Sequence, residues 1–234
     1  MKFKVNSYHF KLLRDYERLS AFKEAIDDYA IRNDGNSNDS NSKVAFVSCP
    51  IKSQPTIYGL FAAALIISTA SDLGCGSGVL SYFASGYMDR IIAIELNNST
   101  YQLAKENLKE FDNIQVFNDD LLSFDFSKLN EKADLIICEM LDTALIDEEE
   151  VPVLNRARKF LKDGGEIIPC GMINSAEPVF MNNHFIQYED DEYSPIYVSL
   201  GESVVYSEFD FMNDIDCEFS TEIELKIFNK DDLD

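Results

Sequence analysis

The chain has 234 residues, 46% of them hydrophobic, and carries a net charge of −22 from 20 basic and 42 acidic residues. That length and apolar content suit one globular domain with an appendage, and the acidity disfavours an extended nucleic-acid footprint, which needs Lys and Arg against phosphate. The same charge would welcome a cationic substrate, although acidity also simply keeps proteins soluble.

The N-terminus, Met1-Lys2-Phe3-Lys4-Val5-Asn6, has no apolar core of the kind a signal peptide needs. Phe10, Leu13, Tyr16, Leu19 and Phe22 recur at three-residue steps and predict a helix over about residues 8–31. Asn33 to Ser42 is polar, turn-rich and reads as a mobile linker, so residues 1–42 form an N-terminal helix and linker. The longest apolar run, Ile57 to Ile67, is too short to cross a bilayer and reads as a buried helix. Five scattered cysteines without C-x-x-C spacing, and only His9 and His184 as histidines, argue against a zinc site and suggest a reducing, cytoplasmic setting.

Residues 43–172 alternate strands and helices. A strand ends at Asp72, and a helix follows to about Ser85. Strands are predicted at Ile91–Glu95, Ile114–Phe117, Asp134–Cys138 and Glu166–Pro169. Helices are predicted at Ser99–Glu110 and Pro152–Leu161, with Asp163-Gly164-Gly165 as a turn. This alternation implies an α/β Rossmann-like fold, mostly parallel, with right-handed crossovers and ligands at the carboxyl ends of the strands. Asp72, Glu95, Asp119 and Glu139 all fall at such ends. Residues 173–234 change character: Val179-Phe180, Ile196–Val198, Ser203–Tyr206 and Ile223–Ile227 read as short strands of a small antiparallel extension.

The chemistry concentrates in Asp72-Leu73-Gly74-Cys75-Gly76-Ser77-Gly78. Glycines let a ligand approach the main chain, and an acid ending the next strand, Glu95, can accept two ribose hydroxyls. The spacing G-x-G-x-G departs from the dinucleotide pattern G-x-G-x-x-G, because Val79 stands where its third glycine belongs. Asp72 would repel a pyrophosphate and suits an ammonium. Asp72, Gly74, Gly76, Gly78 and Glu95 together resemble the glycine motif and following acid of class I S-adenosylmethionine (SAM) methyltransferases. That resemblance implies SAM as cofactor, S-adenosylhomocysteine as product, and an acid after the third strand, Asp119 or Asp120, for the adenine amine.

After the fourth strand the chain reads Cys138-Glu139-Met140-Leu141-Asp142, not the N/D-P-P-Y/F of amino-base methyltransferases. It is similar instead to the protein arginine methyltransferases, where a glutamate ends this strand and a second follows nine residues later. Glu139 and Glu148 stand nine apart. The stretch through Val153-Leu154-Asn155-Arg156-Ala157-Arg158-Lys159-Phe160-Leu161 also matches, as does the helix after the glycine loop. So does the N-terminal spacing of His9, Asp15 and Arg18. The resemblance implies that Arg18 pairs with the SAM carboxylate, His9 packs at the cofactor, and Glu139 with Glu148 clamps a guanidinium. A charge run such as Glu148-Glu149-Glu150 is more commonly a solvated loop or helix start.

Three departures from that family stand out. Asp142 replaces its glycine, residues are inserted between Arg18 and the glycine loop, and the C-terminal stretch is shorter than its full barrel. The expected activity is therefore N-methylation of a protein arginine or another cationic amine, with a protein or peptide acceptor favoured over RNA. No membrane or metal is expected, and a homodimer is a candidate assembly. An RNA methyltransferase of the same fold and a non-catalytic SAM-binding partner subunit are the alternatives.

Overall fold

The computed structural model describes residues 3–34, 68–129, 132–141, 145, 148–181 and 197–228. Most of the linker expected at 33–42 and the whole apolar run Ile57–Ile67 lie outside them, as does Asp142.

Five parallel strands form the central sheet: β1 (Thr69–Leu73), β2 (Arg90–Glu95), β3 (Ile114–Asn118), β4 (Ala133–Cys138) and β5 (Leu161–Ile168), in the order β3-β2-β1-β4-β5. β2 is apolar on both faces, as a doubly covered parallel sheet favours: Ile91, Ile92, Ala93 and Ile94 are all fully buried, whereas central β1 buries Thr69, Ser71 and Asp72 beside Ala70 and Leu73. On one face Ile91 and Ala70 pack beneath α2 (Tyr16–Asp34) and α3 (Val79–Ala84), while Ala93 meets Ala104 of α4 (Asn98–Leu108). On the other, Ile92, Ile94 and Ile136 pack against α5 (Glu150–Ala157), Phe124 and Phe126. The order reverses between β1 and β4, which opens a crevice at the carboxyl ends of those strands.

The single helix expected over 8–31 is two. α1 (Ser7–Leu12) stops short, and α2 restarts at Tyr16 because Asp15 accepts the Arg18 backbone N–H at 2.9 Å as an N-cap. Phe22, Ile26 and Tyr29 bury against the sheet. Arg32 then fastens the far end of α2 to Glu166 of β5 through two bonds, 2.6 and 2.8 Å.

Two further expectations change. The Asp163-Gly164-Gly165 turn is an excursion within β5: Leu161 pairs with Ala133 and Glu166 with Leu135, so the intervening residues bulge, with Gly164 at φ 81°. In the C-terminal extension, β6 (Gly171–Ala176), which no periodicity predicted, pairs with β9 (Val204–Asp210), and β7 (Val179–Met181) pairs with β8 (Tyr197–Ser199), all antiparallel. The strand expected at Ile223–Ile227 reduces to a single bridge from Ile227 to Gly201. Phe211, fully buried, and Ile215 anchor this extension under α5, where Asn155 bonds the Ile215 backbone at 2.7 and 3.0 Å.

Gly78 illustrates how the loop is fitted to its neighbours. It caps α3 at φ 86°, and a Cβ there would lie 2.6 Å from Leu108 Cδ1 of α4. Gly78→Ala combines left-handed strain with overpacking and is expected to cost about 2–4 kcal/mol. The thermal midpoint should fall by roughly 5 °C or more; an unchanged midpoint would show that α4 yields freely.

Candidate active site

A cavity of about 650 Å³ occupies the crevice. The glycine loop forms its floor, the ends of β2 and β4 its sides, and α1 with the first turns of α2 its roof. Asn107 positions that roof. Its buried side chain donates to Ser77 O at 3.0 Å and to Lys4 O at 2.9 Å, and accepts from Lys4 N at 2.7 Å. One α4 residue thereby links the glycine loop to the segment that leads into α1.

Gly74 and Gly76 line the cavity at φ 70° and 53°. Glu95 braces the loop: its Oε2 accepts from Gly76 N at 3.0 Å and its Oε1 from Asn97 N at 2.8 Å, while the carboxylate remains on the cavity wall. Asn97 in turn caps α4 by accepting from Ser99 N and Thr100 N. Asn118 donates to the carbonyls of Glu95 and Leu96 at 2.8 Å each, tying the end of β3 to this edge.

The acids separate by direction. Asp72 does not line the cavity; it lies behind the loop, 1% exposed, and its Oδ2 accepts from Ser81 N at 2.9 Å and Ser81 Oγ at 2.5 Å. There it caps the first turn of α3, where a carboxylate meets orphan N–H groups. Its Oδ1 has no partner among the described residues. Burial raises its pKa to about 6 despite the Ser81 bonds, with the Glu95 charge adding to the rise. Gly78 also stands off the cavity, at the α3–α4 contact. Asp119 is exposed and bonds its neighbour's backbone at 2.9 Å, whereas Asp120 reaches the cavity beside Leu121.

Arg18, Glu139 and Glu148 all line the cavity. Arg18 Nη2 forms an ion pair with Glu139 Oε1, joining the α2 roof to the end of β4. Among the described lining residues Arg18 is the one cation, facing Glu95, Asp120, Glu139, Glu148 and Glu149. The wall therefore carries a strong excess of negative charge. His9 lies on α1; its side chain is outside the described residues.

Glu150 departs from the expectation of a solvated acidic run: it is fully buried, and its Oε2 accepts from Met140 N at 3.0 Å. The signal was available: Glu150, Val153, Leu154 and Ala157 are the buried positions of α5, a spacing of i, i+3, i+4 and i+7. Among the described residues no cluster of three or more His, Cys, Asp or Glu could hold a metal ion, and no helix is long and apolar enough to cross a membrane.

A parallel sheet in this order with a glycine-loop cavity at its switch point defines a doubly wound α/β fold of the nucleoside-binding kind. Residues 70–165 match the family model described as a methyltransferase domain. With that match and this sheet order, residues 70–165 form a methyltransferase domain on the class I SAM-dependent methyltransferase fold, which implies SAM as its cofactor.

Among its relatives is an uncharacterized protein of Methanothermobacter thermautotrophicus, 41% identical over 226 residues, which cover 97% of this chain and 74% of that one. An uncharacterized protein of Methanocaldococcus jannaschii is 35% identical over 232 residues, with the same coverage of both. A ribosomal protein L11 methyltransferase of Thermosipho africanus is 32% identical over 119 residues, 50% of this chain and 42% of its own. In fold, the chain is similar to the Trypanosoma brucei PRMT1 enzyme–prozyme heterotetrameric complex with AdoHcy, at TM-score 0.62 and 16% identity. That match covers 88% of this chain and spans 62% of the Trypanosoma chain.

The cavity fits the cofactor on its donor set. Glu95 offers a carboxylate to a diol, Asp120 an acceptor to an amine, and Leu96 and Leu121 apolar flanks, while Gly74 and Gly76 leave main chain bare for close approach.

Proposed function

We propose that this enzyme methylates a nitrogen of a cationic acceptor, a protein arginine in the first instance, which Glu139 and Glu148 hold against the cofactor. Glu95, Asp120, Gly74 and Gly76 would bind SAM, with Arg18 and His9 closing the roof. The observation that carries this reading is the Arg18–Glu139 ion pair: the strand-end carboxylate already holds a guanidinium within the cavity. The acidic lining supports it, because a second cation gains from the same field. A relative named for methylating a ribosomal protein further supports a protein acceptor.

Bound SAM supplies an electrophilic methyl on its sulfonium. The guanidinium is a delocalised, permanently charged and poor nucleophile. Two carboxylates engaging it bidentately draw its positive charge toward the bonded nitrogens and orient the remaining nitrogen in line with the methyl. Their contribution is positioning and electrostatics, and one of the two carboxylates would accept the proton that the nitrogen gives up after transfer.

Incubation with radiolabelled SAM and a cell lysate tests the acceptor class. Label is expected in a protease-sensitive, ribonuclease-resistant fraction that yields methylated arginine on hydrolysis. Ribonuclease-sensitive label would establish an RNA acceptor instead. Cofactor binding without any transfer would establish a non-catalytic partner subunit.

A further inference from the structure

Glu150 opens α5, yet none of its surface is exposed. A carboxylate is seldom taken out of water without a partner, because its ionised form loses hydration. Here the neighbours sit on either side of Glu139. Glu150 Oε2 accepts from the Met140 amide, one residue after Glu139, and the Cys138 thiol, one residue before, lies close enough to act on the same carboxyl group. Its Oε1 is buried without a partner among the described residues. Two positions before Glu150 stands Glu148, on the cavity wall. A single α5 side chain therefore secures the end of β4 at the point where the chain leaves the sheet, and brings the start of α5 up to it.

We propose that Glu150 is a positioning residue for methyl transfer: by holding the Met140 backbone it aims Glu139 into the cavity. The role rests on Glu139 being the carboxylate that receives the acceptor. Burial raises the Glu150 pKa to about 7; the Met140 amide and the Cys138 thiol oppose the rise, the Glu148 charge adds to it, and Arg18 lowers it. The charged and titratable groups facing Glu150 are thus Cys138 from β4, Glu148 from the segment before α5, and Arg18 from α2. A second guanidinium bound between Glu139 and Glu148 adds positive charge in the same sense as Arg18. It favours the ionised form and releases a proton from Glu150. By reciprocity, acceptor affinity rises as pH passes upward through the Glu150 titration.

Two substitutions separate positioning from bulk stability. Glu150→Gln keeps a carbonyl oxygen for the Met140 amide but cannot ionise; Glu150→Ala removes both. In Glu150→Ala, hydrogen exchange at Met140 is expected to accelerate at least about tenfold. The kcat on an arginine peptide should fall about 10- to 100-fold, while S-adenosylhomocysteine affinity measured by calorimetry stays at the wild-type value. Glu150→Gln should restore amide protection and most of kcat, yet lose the inflection near neutral pH in the pH profile of kcat/KM.

The raised carboxyl also fixes a sign for stability. The native state holds this proton more tightly than the unfolded chain, so wild-type stability declines as pH rises from the ordinary glutamate range to about 7. Glu150→Gln should remove that part of the decline. Wild-type Met140 protection in Glu150→Ala, or an unchanged pH profile in Glu150→Gln, would overturn the proposal. If the wild type transfers no methyl to arginine peptides, the acceptor reading fails, while exchange at Met140 still decides whether Glu150 holds the strand end.

Discussion

Replacing Glu95 with alanine is expected to weaken S-adenosylhomocysteine binding by about 100- to 10,000-fold. A carboxylate has about four lone-pair sites. Glu95 spends two of them on Gly76 N and Asn97 N, which leaves two for a vicinal diol arriving in the cavity. Hydrogen bonds to a charged group contribute about 1.5–3 kcal/mol each, and every 1.4 kcal/mol is about tenfold in affinity. Alanine also frees the Gly76 amide and slackens the loop, so the loss should fall in the upper part of the range. Glu95→Gln keeps one carbonyl acceptor without the charge and should lose only about tenfold. Calorimetric titration with S-adenosylhomocysteine decides the matter: a Glu95→Ala constant within a few-fold of wild type would remove Glu95 from the cofactor site.

Glu139→Gln and Glu148→Gln should each cut methyl transfer by about two to four orders of magnitude, and Glu148→Gln should do so with S-adenosylhomocysteine affinity nearly unchanged. Glutamine offers its amide N–H groups toward a guanidinium that has only donors, so one side of the proposed clamp turns repulsive. The two variants should differ in one respect. Glu139 is the ion-pair partner of Arg18, so Glu139→Gln also loosens the α2 roof, whereas Glu148 lies at the end of α5's leading segment and leaves that pair intact. Single-turnover transfer to an arginine peptide, with cofactor affinity measured in parallel, separates the effects. Wild-type turnover in Glu148→Gln would eliminate the paired-carboxylate mechanism, and a large loss of cofactor affinity in that variant would move Glu148 to the cofactor.

Much of this organisation is legible along the chain. The strand–helix alternation from Thr69 to Ile168 reads correctly because each element declares itself within about a dozen residues, by apolar runs or by helical spacing. The glycine loop reads equally well, since positive φ at Gly74, Gly76 and Gly78 is a local demand of the turn. The errors are of another kind. The helix break at Leu13–Asp15 was hidden by an apolar spacing that continues across it, and the N-cap that makes it depends on one side chain. β6 is not legible locally because Gly171–Ala176 has no alternation of its own and becomes a strand only by pairing with β9.

Local periodicity and turn chemistry are enough to fix the class of fold, the position of the glycine loop and the set of acids at the strand ends. Which acid faces what depends on the packing in three dimensions. Asp72 turns behind the loop to Ser81, Asp120 reaches the cavity where Asp119 does not, and Glu150 is buried two positions from cavity-lining Glu148. Neighbouring residues share composition and charge, but one step along the backbone redirects the side chain, by about 100° on a helix and to the opposite face on a strand. Whether the new direction meets water, an amide or a guanidinium is set by segments far away in the chain. Arg18 brought against Glu139 is such a meeting, and no local pattern contains it.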